Sequence, residues 1–276
     1  MDREIGSVGI VVHRERQDAL TYAKQAEACL RSRGVRVSYP QLNGDGARMD
    51  VILTFGGDGT LLAGAGYAMN HGIPLLGFNL GTVGFLTEAE ADQIEDRLDR
   101  MMRGRYMLEE RSLLAIDNPQ TGEHFTALND VVVTRGGYAR LIRVESYINQ
   151  EFHDMVTADG LIVATPTGST GYSLSAGGPV IDPSMRCMVV TPVCAHSFRH
   201  CPTVVSAEAG IRLRLMPNRD QTAELQIDGQ NRGTLKSGDE ILVSGSEKTL
   251  QLIRFGPYRF YDLTRRKLTE WGSGPA

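Results

Sequence analysis

The hydrophobic pattern changes character once along the chain. Up to about residue 107, short apolar runs alternate with longer stretches of helical period, which predicts strands separated by helices. Such an order implies a parallel sheet with right-handed crossovers. The predicted strands are Val8–Val12, Val35–Tyr39, Val51–Phe55 and Ile73–Asn79, and the predicted helices are Gln17–Arg33, which Gly34 closes, and about Thr60–Met69.

A third helix is predicted to follow a capping box formed by Thr87 and Glu90. One face of this helix is apolar, and the helix is predicted to end at Gly104. The residues of that face are Ile94, Leu98, Met101 and Met102.

Beyond residue 108 no segment has a convincing helical period. Short segments broken by Gly, Pro, Asn and Asp alternate in the two-residue period of strands, most clearly at Ile211–Leu215. The predicted fold class is therefore an α/β domain with a parallel Rossmann-like sheet, followed by a mostly antiparallel all-β domain. We place the first domain at 1–107, which residues 256–276 are predicted to complete, and the second domain at 108–255.

Composition excludes several classes of function. The 276 residues are 41% hydrophobic and carry a net charge of -4, so there is no global basic field for nucleic acid or an anionic membrane. The cysteines form no C-x-x-C pair and are interpreted as reduced thiols. The amino-terminal apolar run is too short for a signal peptide. We expect a cytoplasmic protein with no membrane partner.

The stretch "FGGDGT" follows an apolar strand, at the edge where open parallel sheets bind ligands. Glycines there let backbone N–H groups approach a ligand closely, and with a helix start they form a cradle for phosphate. Asp58 conflicts with a purely anionic ligand, but it can accept a proton from a hydroxyl that attacks a phosphate. The alternative is that Asp58–Gly59 is ordinary turn chemistry and that Thr60 caps a helix. This stretch alone leaves both open.

Two segments of the second half offer neutral polar groups. Thr165–Pro179, "TPTGSTGYSLSAGGP", supplies hydroxyls and one aromatic ring but no charge, which suits the base and ribose of a nucleotide. Asn129 and Asp130 interrupt an apolar strand, where unpaired polar groups are costly, and an Asn–acid pair can bind an adenine edge or a ribose diol. The alternatives are an ordinary Gly/Ser loop and a capped strand start.

These segments resemble those of NAD kinases, in the same order along nearly the whole chain. The resemblance is carried by "FGGDGTLL", "NLGTVGFLTE", "EERSLLAI", "LNDVVV", "DGLIVATPTGSTGYSLSAGGPVIDP", "TPVCAHSF" and "RRKLTEWG". It implies transfer of the γ-phosphate of ATP, or of polyphosphate, to the adenosine 2'-hydroxyl of NAD. It also implies a divalent cation such as Mg2+ and a homodimer or homotetramer. The G-G-D-G motif alone is shared with 6-phosphofructokinases and with diacylglycerol and sphingosine kinases.

The resemblance also assigns residues. Asp58 takes the position of the catalytic base, and no protein ligand to a metal is predicted. The donor phosphates would be held by Gly56, Gly57, Gly59 and Thr60. The NAD-binding positions would be Asp58, Gly59, Asn129, Asp130, Arg140, Asp159, Thr170, Gly171, Tyr172, Ser173, Leu174, Ser175 and Gln230. The chain departs from the family pattern at Asp130, where relatives have Glu, at Thr157, where many have a basic residue, and at Ala195, often proline.

Two rival functions are consistent with part of this pattern. Another G-G-D-G-T kinase would phosphorylate a lipid or a sugar, although no basic amphipathic helix favours a lipid acceptor. A dinucleotide-binding sensor would bind NAD without transferring phosphate. Measuring which phosphate donor and which acceptor support turnover distinguishes these two functions from that of an NAD kinase.

Overall fold

The computed structural model of the chain describes residues 5–13, 16–41, 49–81, 84–137, 140–197, 199–217 and 222–272. It divides into two compact units, one formed by Met1–Glu110 with Leu250–Ala276 and the other by Arg111–Thr249. Among the helices in the described ranges, none is long and apolar enough to cross a bilayer.

The first unit is built on a parallel sheet with the strand order β2-β1-β3-β4, and β5 pairs with β4. All five residues of β3 and of β4 are buried, and the rings of Phe55 and Phe78 stack with their centroids 4.9 Å apart. The elements are β1 Ser7–Val12, α1 Gln17–Arg31, β2 Arg36–Ser38, β3 Val51–Phe55, α2 Asp58–His71, β4 Leu75–Asn79, β5 Ala89–Glu90 and α3 Ile94–Met102.

The predicted capping box is wrong. Ala89 and Glu90 pair with β4 as a short strand, and a single 3-10 turn, Ala91–Gln93, separates them from α3. The Thr87 hydroxyl accepts the backbone N–H of Gly84 at 3.3 Å instead of capping a helix. Pairing with the edge of the sheet therefore overrides the local helix-start signal, while Ile94, Leu98 and Met101 are buried as the apolar face predicts.

The second unit contains two antiparallel sheets that share one hydrophobic core. One sheet has the order β13-β12-β11-β8-β15-β16, and the other contains β10, β9, β14 and β17. The elements are β6 Met107–Asn118, β7 Glu123–Ala127, β8 Asp130–Thr134, β9 Ile142–Ile148, β10 Glu151–Ala158, β11 Gly160–Ala164, α4 Tyr172–Ser175, β12 Cys187–Val193, β13 Thr203–Ser206, β14 Ile211–Leu215, β15 Ala223–Ile227, β16 Gln230–Leu235 and β17 Glu240–Arg254.

The register of β8 and β11 positions the polar segments of this unit. Asp130, the first residue of β8, lies opposite Ala164, the last residue of β11. The chain leaves β11 at Thr165, so the hydroxyl-rich segment begins beside Asn129 and Asp130. The predicted fold class, a parallel α/β unit with an antiparallel β unit, is confirmed.

The prediction that no helix lies beyond residue 108 is wrong at the carboxyl end, where α5 spans Phe260–Gly272. Among residues 260–269 of this helix, whose burial the structure describes, Phe260, Leu263 and Lys267 are buried at helical spacing. The segment is short and mixes polar with apolar residues, so its periodic signal is weak.

Arg254, at the end of β17, is a buried cation at the centre of a polar network in the first unit. Its side chain is 2% exposed and lies 3.1 Å from Glu88 Oε2 and 2.5 Å from Glu109 Oε2. It also donates to the carbonyl oxygens of Leu86 (3.1 Å) and Thr87 (3.4 Å). The guanidinium therefore joins three segments that are distant in sequence.

We expect Arg254→Met to destabilise the protein by about 3–5 kcal/mol, because it leaves two partly buried carboxylates without their cation. Arg265→Met is the matched control, since Arg265 pairs with Asp262 at the surface and its loss is expected to cost less than about 0.5 kcal/mol. Urea unfolding measures both. A loss below about 1 kcal/mol in Arg254→Met contradicts the role of this network.

Candidate functional site

The three glycines between β3 and α2 have different structural roles. Gly56 has φ +157°, and a Cβ there would lie 2.1 Å from Thr60 Oγ1, so a side chain at this position collides with the helix. A Cβ at Gly57 or Gly59 would have no neighbour within 4 Å. The first glycine is thus required by packing, and the other two leave the outer side of the turn accessible to a ligand.

Helix α2 begins at Asp58, earlier than the predicted start near Thr60. The amides of Thr60 and Leu61 both donate to the carbonyl of Gly57, at 3.0 and 3.2 Å. The Gly56 amide, assigned to the donor phosphates by the resemblance, donates instead to the Phe78 carbonyl at 3.0 Å. The amides of Gly57, Asp58 and Gly59 belong to the helix start, where the helix dipole favours an anion. The Thr60 hydroxyl is buried and has no hydrogen-bond partner among the described residues. These groups match the chemistry of a phosphate cradle.

A pocket of about 960 Å³ opens beside this turn, within the first unit. Arg16 supplies a cation at its wall, donating to the Leu80 carbonyl at 2.6 Å and pairing with Asp18. The remaining wall combines apolar and polar groups. The lining residues are Ile10, Val11, Val12, His13, Arg16, Tyr39, Pro40, Gln41, Gly57, Gly59, Thr60 and Ala63.

Asp58 is held by a loop that the sequence analysis did not assign to the site. Its carboxylate accepts the backbone N–H groups of Phe85 (2.7 Å) and Leu86 (3.0 Å), one on each oxygen. A Cβ at Gly84 would lie 2.0 Å from Asp58 Oδ1, so this approach requires glycine. Each carboxylate oxygen has a second lone pair, and Asp58 therefore retains the capacity to accept a proton.

The carbonyl groups of this loop, residues 84–86, are held by two further side chains. The Tyr258 hydroxyl donates to the carbonyl of Phe85 at 2.9 Å, and Arg254 donates to the carbonyl of Leu86. Tyr258 and Arg254 lie about 170 residues downstream of the loop, and the ring and guanidinium are in contact, with 4.7 Å between Arg254 Cζ and the ring centroid. The only sequence signal for this arrangement was the stretch "NLGTVGFLTE", which carried the family resemblance without a residue role.

In the second unit, Asn129 lies directly against the hydroxyl-rich segment. The amide of Thr165 donates to the Asn129 carbonyl at 2.8 Å, and the Thr165 hydroxyl donates to the Leu128 carbonyl at 2.6 Å. A Cβ at Gly168 would lie 2.1 Å from the Asn129 carbonyl oxygen, so only glycine allows this contact. The two segments that the sequence analysis singled out therefore meet.

Asp130 is buried beside a second acid, Asp228, which the sequence analysis missed. Burial, and then the negative charge of Asp228, raise the pKa of Asp130 to about 7. Burial also raises the pKa of Asp228, but its carboxylate accepts three backbone N–H groups, which oppose the rise. We therefore assign the charge of the pair to Asp228 and the proton near neutrality to Asp130.

Tyr172 lies near both Asp130 and Asp159, which stand at opposite ends of the β8–β11 pair. Tyr172, at the start of α4, is 45% exposed, and burial followed by the charges of Cys194, Asp159 and Asp130 raises the pKa of its phenol. The Asp159 carboxylate accepts Arg135 Nε at 2.5 Å. The region offers an exposed ring next to hydrogen-bonding acids.

Several hydroxyls of the 165–179 segment form hydrogen bonds with other groups of the protein. Ser173 is fully buried and shares a 2.8 Å hydrogen bond with Thr191, and the Thr170 hydroxyl donates to the Thr167 carbonyl at 3.1 Å. Gln230 accepts Arg232 Nη2 at 2.7 Å, and Arg140 lies on the surface. Ser173 therefore contributes to the shape of the segment, whereas Gly171, Leu174 and Ser175 retain some exposure.

Comparison with known proteins gives consistent matches over the chain. The family model described as the ATP-NAD kinase N-terminal domain matches residues 40–106, and that of the ATP-NAD kinase C-terminal domain matches residues 128–255. An NAD kinase of Desulforamulus reducens is 34% identical, covering 98% of this chain and 99% of the relative.

Two solved structures share the fold. A yeast NADH kinase complexed with NADH aligns with a TM-score of 0.87 at 25% identity, covering 100% of this chain and 90% of that chain. An NAD kinase from Archaeoglobus fulgidus in complex with ATP aligns with a TM-score of 0.75 at 28% identity, covering 94% and 98%.

Asp130→Asn is expected to change how stability depends on pH. The folded-state pKa of about 7 lies above the usual 3.8, so the contribution of this acid to stability is complete below pH 4 and is lost as the pH rises through 7. The variant lacks this loss, and its stability relative to the unsubstituted protein should rise by roughly 2 kcal/mol between pH 5 and pH 8.

Urea unfolding at the two pH values measures the difference. Asp239→Asn is the control, because that carboxylate accepts the Lys236 amide in an exposed turn of the same unit. A pH-independent difference for Asp130→Asn contradicts the raised pKa.

Proposed function

Because this chain belongs to the NAD kinase family, we propose that it transfers the γ-phosphate of ATP to the adenosine 2'-hydroxyl of NAD, forming NADP and ADP. The observation that carries the proposal is the placement of Asp58 in the first turn of α2, beside glycines whose outer side is open. A carboxylate next to a phosphate cradle is suited to the attacking hydroxyl rather than to the donor phosphates.

The donor is assigned to the first unit. The amides of Gly57 and Gly59, together with the buried Thr60 hydroxyl, supply donors for phosphate oxygens, and Arg16 supplies positive charge in the adjoining pocket. The pocket volume of about 960 Å³ is in the range of small-molecule sites. Mg2+ enters with the triphosphate as part of the substrate, where it offsets the phosphate charge. Polyphosphate presents the same phosphate chemistry and is the alternative donor.

The acceptor is assigned to the second unit. Asn129 and Asp130 bind the ribose and adenine of NAD, and Tyr172 supplies a partly exposed ring for stacking. Asp159, Arg140 and Gln230 complete the proposed contacts, together with the partly exposed positions of the segment, Thr170, Gly171, Leu174 and Ser175. Ser173, which is buried against Thr191, supports the shape of the segment. A protonated Asp130 both donates and accepts a hydrogen bond, which suits a ribose hydroxyl.

In the proposed reaction the 2'-oxygen of NAD forms a bond to the γ-phosphorus, and the bond between that phosphorus and the β–γ bridging oxygen breaks. The electron pair of the broken bond leaves with ADP. The proton of the 2'-hydroxyl passes to Asp58, whose position is fixed by the amides of Phe85 and Leu86. Positioning and electrostatic stabilisation supply most of the rate in such transfers.

We also propose that the protein is cytoplasmic and forms a homodimer or homotetramer. Four free cysteines agree with a reducing compartment. Light scattering of the purified protein measures the oligomeric state.

Assay of the purified protein with ATP or polyphosphate, against NAD, NADH, diacylglycerol and fructose 6-phosphate, tests the function. We expect NADP formation from NAD and ATP. Phosphorylation of only the lipid or the sugar overturns the proposal, and tight NAD binding with no transfer to any acceptor favours a sensor.

Asp58→Asn is expected to reduce kcat at least about a hundredfold, because it removes the proton acceptor and keeps the side-chain volume. NAD binding, measured by calorimetry, should remain. Asp96→Asn is the matched control, an exposed acid in the first turn of α3. Unchanged turnover in Asp58→Asn overturns the role of this residue as the base.

Gly84→Ala is expected to reduce kcat at least about tenfold, since the added methyl displaces the Asp58 carboxylate from the Phe85 and Leu86 amides. Gly66→Ala adds the same atom inside α2, where it has no neighbour within 4 Å, and should leave kcat unchanged. Equal activities of the two variants contradict the positioning of Asp58 by this loop.

A further inference from the structure

We propose that Asp228 is a positioning residue for the acceptor, holding the backbone of Leu128, Asn129 and Asp130 in the conformation in which the Asn129 and Asp130 side chains bind NAD. This inference rests on the proposed function. Asp228 itself is not assigned a contact with NAD, because its carboxylate is directed at the backbone of β8 and the residues before it.

The Asp228 carboxylate accepts hydrogen bonds from three consecutive backbone amides. Asp228 Oδ2 accepts the Leu128 amide at 2.9 Å, and Oδ1 accepts the amides of Asn129 at 2.7 Å and Asp130 at 3.2 Å. In return, the Asp228 amide donates to the Asp130 carbonyl at 3.0 Å. One residue therefore satisfies three successive backbone donors, at the point where the chain enters β8 and carries its two polar side chains.

Turn chemistry explains only part of this arrangement. Asp228 and Gly229 connect β15 to β16 with φ values of +48° and +74°, as in the two-residue hairpin turn that favours Asp-Gly and Asn-Gly. That preference accounts for a short polar residue at 228. It does not account for a carboxylate that reaches another strand, so the choice between Asp and Asn at this position separates the two roles.

The charge of Asp228 has a second effect on the acceptor residues. Three N–H donors stabilise its ionised form, and that charge acts on the buried Asp130. Arg232 also acts on Asp228, where it opposes the rise in pKa that burial causes, and Asp130 adds to the rise in the pKa of Tyr172 that burial causes. Asp228 therefore acts on the acceptor residues both through the backbone that it holds and through the protonation of Asp130.

The test compares the unsubstituted protein with Asp228→Asn and Asp228→Ala. Asparagine keeps the turn preference and one carbonyl oxygen but removes the charge, whereas alanine removes all three acceptor contacts. Asp239→Asn is the control, since it changes a carboxylate that accepts a backbone amide in a turn of the same unit. Circular dichroism and thermal unfolding establish that each variant is folded.

We expect Asp228→Asn to raise the Kd for NAD about tenfold, and Asp228→Ala to raise it further, because a weakened charge-assisted contact releases the Asn129–Asp130 backbone. The KM for ATP should stay within about twofold, since the donor residues lie in the other unit. The pH midpoint of NAD binding should fall by about one unit in Asp228→Asn, because the pKa of Asp130 falls when the neighbouring negative charge is removed.

An unchanged Kd for NAD and an unchanged pH midpoint in a folded Asp228→Asn overturn the inference. Equal increases in the KM values for NAD and ATP also overturn it, since they indicate a general structural effect. If Asp228→Ala does not fold, Asp228→Asn alone decides the matter. Absence of NADP formation by the unsubstituted protein, with NAD still bound, counts against the proposed function only, because the Kd measurements do not depend on turnover.

Discussion

The first unit depends on a buried cation. Arg254 is 2% exposed, and a guanidinium in that environment is stable only when carboxylates and carbonyl oxygens surround it. Glu88, Glu109 and the carbonyls of Leu86 and Thr87 supply those partners. The same loop that satisfies the cation presents its amides to Asp58, so the position of the proposed base follows from where a distant arginine is neutralised.

The second unit also contains a buried charged side chain, but this one is an anion. A buried carboxylate, Asp228, is satisfied by three backbone amides, and the loop that provides them carries Asn129 and Asp130. In both units an ionised side chain fixes the loop that bears polar functional groups. The cost of leaving a buried charge unpaired makes these loop conformations specific, whereas loops held only by turn preference have alternatives.

The sequence predicted most elements that depend on local pattern. Val51–Phe55 is found as predicted because a short run of four apolar residues and Thr54, bounded by a polar residue and glycine, leaves few alternatives. The boundary of α2 and the capping box at Thr87 were mispredicted, since sheet pairing and the glycine turn compete with local helix signals there. Helix α5 was missed because its segment is short and mixes polar with apolar residues, so the helical period is weak.

By itself, the sequence determined the family, the two-part fold and the segments that carry polar chemistry. These follow from periodicity, glycine placement and ordered motifs, which are properties of neighbouring residues. Only the tertiary structure decided what holds Asp58 and Asp130. The partners of Asp58 lie 27 and 28 residues away, and Asp228 lies about 100 residues from the amides it binds. Hydrogen bonds and charge interactions depend on distance in space. Residues far apart in the sequence become neighbours only when the strands pair into sheets, so the sequence separation does not predict these contacts.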